Sequence, residues 1–285
     1  MPVTLPNYWP APAKLNLFLH ITGRREDGYH QLQTVFQFLD LHDDIELRVN
    51  ASGDIRAIHQ YPGFEPDDDL TVRAARLLQS VSGCRQGADI KLLKNLPVGG
   101  GIGGGSSDAA TVLLVLNRLW ETGLGLQDLA DLGLQLGADV PVFIHGHACW
   151  AEGVGEQFQP VDLAEPYYLL VYPKVHVSTG QIFAARELTR NSRPIKIADF
   201  LAGSARNDCE VTVRQLVPEV DRAMTWLDQF APARLTGTGS CIYAEFVAKA
   251  EADEAAAAMA GDWQAWVTRG NNRSLLHQQL DETFA

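Results

Sequence analysis

Pro97-Val98-Gly99-Gly100-Gly101-Ile102-Gly103-Gly104-Gly105-Ser106-Ser107 places six glycines in seven positions. Each ordered glycine costs roughly 0.5–1 kcal/mol relative to alanine, so a fold keeps such a run where the backbone must turn steeply or approach something closely. Before it, Ile90 to Leu96 reads as a strand. After it, Ser106 to Trp120 reads as a helix, with Ala109, Val112, Leu113, Leu116 and Trp120 on one apolar stripe. A strand that runs through glycines into a helix makes an anion site, because the first-turn N–H groups are free and the helix dipole is positive there. Ser106 is a good N-cap for that helix, and Ser106 or Ser107 can bond a phosphate or a metal-bound oxygen. A flexible Gly-rich linker would lack flanking strand and helix signals this strong.

The loop is not a Walker A motif, because no Gly-Lys-Ser/Thr follows. Gly99, Gly101 and Gly104 satisfy G-x-G-x-x-G, the dinucleotide fingerprint. They lie mid-chain, and no strand-end acid follows about 20 residues on, so an NAD oxidoreductase rests on a weak signal.

Outward from the loop, strand and helix signals alternate irregularly. Lys14 to Ile21 alternates, with Leu15, Leu17, Leu19 and Ile21 on one face and Lys14, Asn16, Phe18 and His20 on the other. Prolines 2, 6, 10 and 12 predict an extended lead-in, and residues 24–29 a loop. Ile45 to Val49 is a second half-buried strand. Asp67-Asp68-Asp69 precedes a helix whose stripe is Val72, Ala75, Leu78 and Val81. Further helices are predicted over 126–136, 211–227 and 251–259, and strands over 167–172 and 241–246. Glu152-Gly153-Val154-Gly155-Glu156 is turn-rich and divides the chain into 1–155 and 156–285. The pattern is α+β, in two domains side by side.

Composition narrows the partners. Asp and Glu outnumber Lys and Arg by 35 to 23, a formal charge of -12. Such a surface repels nucleic-acid phosphates and anionic lipid. No apolar run approaches the ~20 residues that span a bilayer, and the N-terminus has no signal-peptide pattern. Cys84, Cys149, Cys209 and Cys241 stand apart in sequence, which predicts reduced thiols in a cytoplasmic protein. A small anionic substrate remains compatible with this charge, because a local basic pocket overrides the global field.

Several residues carry candidate chemistry. Asp139, in Gly137-Ala138-Asp139-Val140-Pro141, is an acid among small and apolar neighbours. It is either a general base or orienting group for a hydroxyl, or a turn or cap aspartate before Pro141. Lys14 is either a solvated edge residue or a cation that stabilises phosphoryl charge. Gly28-Tyr29-His30 can stack on a nucleobase or simply pack a loop. His145-Gly146-His147 lacks a third ligand at metal spacing.

Taken together, three stretches resemble the GHMP kinase family, whose members include galactokinase and the homoserine and mevalonate kinases. They are Pro12-Ala13-Lys14-Leu15-Asn16-Leu17, the loop from Pro97 to Ser107, and Leu235-Thr236-Gly237-Thr238-Gly239-Ser240, in family order. With Asp27-Gly28-Tyr29-His30, Gly137 to Pro141 and Ala151 to Glu156, the resemblance narrows to the branch whose acceptor is a cytidylated methylerythritol. It implies ATP-dependent phosphorylation of that acceptor's 2-hydroxyl, with Mg²⁺ carried by the nucleotide phosphates. It implies a ribosomal-S5-like N-terminal domain and a ferredoxin-like C-terminal one, in a monomer or weak homodimer. Asp139 would be the base, Lys14 its cationic partner, and 97–107 the ATP phosphate loop. Tyr29 and His30 would hold the cytosine, with Asn16, Thr179 and Phe183 lining the same pocket. Asp69 and Asp108 stand where related sequences often carry asparagine. An acid at Asp108 suits the helix dipole but repels phosphate unless a metal or proton intervenes. A sister kinase, or a nucleotide sensor without catalysis, would share the phosphate loop. The first has no nucleobase for Tyr29 and His30 to hold, and the second has no need of Asp139.

Overall fold

A computed structural model of the chain describes residues 5–25, 30–58, 68–203, 205–259 and 261–285. In chain order, β1 (Trp9–Arg24) and β2 (His30–Asn50) are long, at 16 and 21 residues. β3 (Ile55–Ala57), α1 (Leu70–Ser82) and β4 (Gly87–Leu93) follow. Then come α2 (Gly104–Leu119), α3 (Leu126–Leu136), α4 (Val140–His145) and the hairpin of β5 (Cys149–Glu152) with β6 (Gln157–Pro160). The second half holds β7 (Tyr167–Tyr172), α5 (Thr179–Ala184), α6 (Ile197–Leu201), α7 (Glu210–Leu216) and α8 (Pro218–Leu227). It closes with β8 (Arg234–Leu235), β9 (Ile242–Phe246), α9 (Lys249–Ala257), β10 (Gln264–Asn271) and α10 (Leu275–Phe284).

β2 is the hub. It pairs antiparallel with β1, β4 and β5, and through Phe38 and Leu39 with β10. β10 continues to β7, then β9, then β8, so hydrogen bonding runs through both halves of the chain. Among the described strands only β3 and β4 pair in parallel. Mostly antiparallel strands with helices on the sheet faces give the α+β class expected.

Four buried clusters make up the described interior, the smallest of them Phe18, Val35 and Trp150. The largest lies between β2 and β4 on one side and α1–α4 on the other, around Phe38, Ile45, Leu78, Ile90, Val112 and Leu116. A second packs α7, α8 and α9 on β7 and β9, around Leu169, Val213, Met224, Leu227 and Ile242. The third joins them: Ala13 and Leu15 of β1, Leu39 of β2, Leu96 and Ile102 near the glycine loop, and Tyr168, Leu170, Cys241 and Tyr243. This joint lies against the glycine loop, since its members Leu96 and Ile102 bracket that loop's first turns.

Local departures from the sequence pattern have local causes. β1 is buried on both faces, because Lys14, Asn16, Phe18 and His20 are each no more than 5% exposed. Bulges between Pro12 and Lys14 and between Asn16 and Phe18 reset its alternation, and a second element covers the polar face. Pro10 and Pro12 belong to this strand and do not merely lead into it. Val81 is 55% exposed, so the α1 stripe ends at Leu78. The predicted strand over 90–96 stops at Leu93, because Asp43 accepts Asn95 N at 2.6 Å and Leu96 N at 2.8 Å and turns the chain. The helix expected over 211–227 is two, since Pro218 cannot donate to a preceding carbonyl and starts α8 instead.

Candidate active site

The N-cap of α2 lies three residues earlier than the predicted Ser106. Gly103 is at its N-cap in left-handed backbone, φ 76°, with no side-chain cap, and Ser106 and Ser107 lie inside the first turn. Gly99 and Gly101 are also left-handed, at 73° and 77°, and alternate with residues of ordinary φ. That alternation is the geometry of an anion-binding nest. Two of these glycines are required sterically as well. A Cβ on Gly101 would lie 2.7 Å from Thr236 O and 2.8 Å from Gly239 O. One on Gly103 would lie 2.7 Å from the Phe143 ring and 3.2 Å from Lys14 Cε. The glycine loop therefore packs directly on the 236–240 turn and on Lys14, and Cys241 N donates to Gly100 O at 2.9 Å.

Lys14 is buried, which removes the solvated-edge reading. Its backbone N donates to Ile102 O at 3.0 Å, and its ammonium lies 3.2 Å from Asp139 Oδ2. The ammonium also donates to Asn16 Oδ1 at 2.6 Å and Gly101 O at 3.3 Å, and sits 5.2 Å from the centre of the Phe36 ring. Asp139 occupies the N-cap position of α4 but makes no side-chain cap bond. Its carboxylate is 41% exposed and turns instead to Lys14. An ammonium and a carboxylate so placed can orient a hydroxyl, take its proton and offset growing negative charge. Asn16 is held from two sides, its side chain donating to Thr34 Oγ1 at 3.0 Å and its backbone N to Thr236 Oγ1 at 2.9 Å.

Across the cavity, His30 stacks on Phe183 at 4.8 Å between ring centres, 26° from parallel. Thr179 opens α5 and shares a hydrogen bond of 2.8 Å with Thr238. Tyr29 lies outside the described residues. Lys14, Asn16, His30, Asp139, Thr179 and Phe183 all line one cavity of about 740 Å³, together with Gly101, Ser106, Gly237 and Thr238. The rest of the 97–107 stretch does not line this cavity. Ile102 and Ser107 are buried and Val98 is 59% exposed.

Asp108 has an environment the sequence did not reveal. Lys94 reaches it at 2.9 Å and reaches Asp43 at 2.5 Å. Burial pushes the Asp108 carboxyl up to about 8, against the pull of Lys94. The repulsion expected toward phosphate is thus offset by an ammonium beneath the start of α2. Lys94 falls at the strand end just before the glycines, the one signal that could have marked it. Thr34, Phe36 and Arg190 gave no sequence signal, being single residues in unremarkable contexts. Among the described residues no three His, Cys, Asp or Glu side chains gather as a metal site. No described helix is long and apolar enough to cross a membrane.

Residues 69–147 match the model of the GHMP kinases N terminal domain, and residues 185–265 that of the GHMP kinases C terminal. A 4-diphosphocytidyl-2-C-methyl-D-erythritol kinase of Nitrosococcus oceani is 58% identical over 275 residues, 96% of this chain and 98% of its own. The chain belongs to the GHMP kinase family. Another GHMP kinase bearing the same name, from Alkalilimnicola ehrlichii, is 56% identical over 92% of this chain and 90% of its own. Among solved structures, that of a 4-(cytidine 5'-diphospho)-2C-methyl-D-erythritol kinase superposes with a TM-score of 0.79 at 32% identity, covering 93% of this chain and 99% of its own. A mevalonate kinase reaches 0.66 at 15% identity, covering 95% of this chain and 100% of its own, and so shares the fold. Membership of a kinase family brings ATP as the phosphoryl donor.

Proposed function

We propose that this GHMP kinase transfers the γ-phosphoryl group of ATP to the 2-hydroxyl of 4-diphosphocytidyl-2-C-methyl-D-erythritol, giving the 2-phosphate and ADP. The observation that carries this reading is the shared cavity. The Lys14–Asp139 pair and the His30–Phe183 stack open on the same space, so a nucleobase and a reacting hydroxyl of one molecule can be held together. The likeness to relatives named for that substrate, at 58% and 56% identity, supports it.

In this reading Asp139 orients the hydroxyl and takes its proton. The hydroxyl oxygen bonds to the γ-phosphorus as the bond to the bridging oxygen breaks, and ADP leaves. Lys14 offsets the charge that grows during transfer, and the glycine-loop amides hold the phosphates. Positioning and electrostatics then supply most of the acceleration.

Magnesium would arrive on the nucleotide phosphates and neutralise their charge. Ser107 Oγ and Asp108 Oδ1, oxygens at the start of α2 with no partner among the described residues, are buried outside the cavity lining, and burial holds the Asp108 proton up to about 8, so these two atoms do not fit the ion. The four cysteines are all unpaired, which supports a cytoplasmic setting.

Homoserine or mevalonate kinase activity is the second reading, and it leaves the His30–Phe183 stack without a ligand. ADP release is the test, with ATP, Mg²⁺ and separately the cytidylated methylerythritol, mevalonate and homoserine. Release with the first acceptor alone is expected. Release with mevalonate or homoserine and none with the first would overturn the assignment.

A further inference from the structure

α4 is a short strut between the C-terminal helix and the reacting groups. Its first end carries Asp139 at the N-cap, 3.2 Å from the Lys14 ammonium and without a side-chain cap bond of its own. Between its ends, the Phe143 ring lies so close to Gly103, the N-cap of α2, that a Cβ there would fall 2.7 Å from it. The same ring meets Phe38 edge-on at 5.7 Å. The far end of α4 stops at Gly146, in left-handed backbone with φ 68°. Phe143 O belongs to this last turn, where carbonyls lack helical amides. His277 of α10 supplies a donor, with its Nε2 at 3.2 Å from Phe143 O. A carbonyl oxygen only accepts, so Nε2 carries the proton. Burial lowers the pKa of this imidazole, which keeps the ring neutral.

The backbone is shaped for this contact. A Cβ on Gly146 would stand 1.9 Å from His277 Cδ2 and 2.1 Å from its Nε2, so only glycine lets the imidazole lie on the turn that ends α4. That is the place of the glycine in His145-Gly146-His147. Two backbone bonds flank it, Ser274 N donating to Gly146 O at 2.9 Å and Ala148 N to Asn272 O at 2.7 Å. These hold the chain that leaves α4, whereas His277 reaches a carbonyl within the helix itself. At its other end α4 rests on α3, where a Cβ on Gly133 would meet the Val140 side chain at 2.7 Å. His277 does not line the active-site cavity, so it acts on the chemistry only through α4.

We propose that His277 is a positioning residue for phosphoryl transfer, which fixes α4 along its length and so sets Asp139 against Lys14 and the acceptor hydroxyl. The inference rests on the base role given to Asp139 above. A general base must sit within hydrogen-bond reach of the proton it takes. A misplacement of about 1 Å can cost about 10²-fold in rate. The glycine loop and α5 are anchored by other bonds, Cys241 N to Gly100 O and Thr179 to Thr238. Loosening α4 therefore slows the transfer step more than it weakens binding.

Two substitutions of different reach test this. A glutamine amide nitrogen can take the place of Nε2, whereas asparagine is too short to reach Phe143 O. His277→Gln is expected to keep kcat per folded molecule within about threefold of wild type, and His277→Asn to lower it by about tenfold or more. KM for ATP and for the cytidylated acceptor is expected to stay within about threefold in both. His277→Leu takes the place of the asparagine variant if that one does not fold. In the Asp139→Asn background the same substitution is expected to change kcat by less than about twofold, because effects carried through one residue do not add. A structural role alone would lower the melting temperature of His277→Asn with kcat kept, or would slow both backgrounds alike, and either result would overturn the proposal. So would equal losses of kcat in the glutamine and asparagine variants. Slow turnover by Asp139→Asn with normal turnover by His277→Asn would sink this proposal alone. Normal turnover by Asp139→Asn would sink the base role with it.

Discussion

Asp108 combines full burial, one ammonium partner and a second carboxylate close by. Asp43 and Asp108 share Lys94, and Asp108 Oδ1 has no partner among the described residues. Desolvation dominates, which is why its carboxyl is pushed up to about 8. The linkage has a definite sign. A carboxyl that binds its proton more tightly folded than unfolded stabilises the fold at low pH, and that stability is lost as pH rises from the ordinary carboxylate range to about 8. Asp108→Asn mimics the neutral acid, so wild type should lose melting temperature relative to it between about pH 5 and about pH 8. Parallel melting curves across that range would contradict this account. The sequence flagged Asp108 as an unbalanced charge but could not name Lys94 or Asp43, because charge balance here depends on tertiary neighbours. Lys14 is a similar case. Its position on a strand was legible, but its burial was not, since its partner Gly101 O lies 87 residues away.

At the scale of elements, the glycine loop was the most legible feature because its composition is so costly that only backbone geometry explains it. What the sequence left open was which glycines carry the constraint. Gly101 does so twice, through its left-handed φ of 77° and through contact with Thr236 O and Gly239 O. Gly101→Ala should therefore cost roughly 1–3 kcal/mol of stability and weaken ATP binding by about tenfold or more. Denaturant midpoints and an ATP titration check both, and wild-type values in each would show that the loop tolerates a side chain. α3 and β7 match their predicted bounds because each carries one clear period between turn signals. β10 and α10 had no such signal. β10 buries Thr268 and Gly270 while Ala265, Trp266 and Val267 are only half-buried, so its apolar residues do not alternate with polar ones.

At the scale of the molecule, the two halves meet through the cluster of Leu15, Leu39, Tyr168, Leu170, Cys241 and Tyr243. A buried polar link crosses the same joint: Tyr168 donates to Gln37 Oε1 at 2.7 Å, and Gln37 Nε2 to Ala164 O at 2.8 Å. Tyr168→Phe leaves Gln37 Oε1 buried and unpaired, so the fold should lose about 1–3 kcal/mol, read as a lower denaturant midpoint. An unchanged midpoint would mean the joint is held by apolar packing alone. The order of the three motifs was visible in the sequence. Their convergence was not, because it depends on β2 pairing with β1, β4, β5 and β10 at once.

That convergence places Lys14 of β1 against Asp139 of α4 beneath the glycine loop, and the account stands on this pair. Its most direct test is turnover by Asp139→Asn at saturating ATP and cytidylated acceptor, with ATP affinity measured on the same protein. The account predicts a kcat lower by ~10²-fold or more, with ATP affinity within about threefold of wild type. Near-normal turnover by the variant would contradict it.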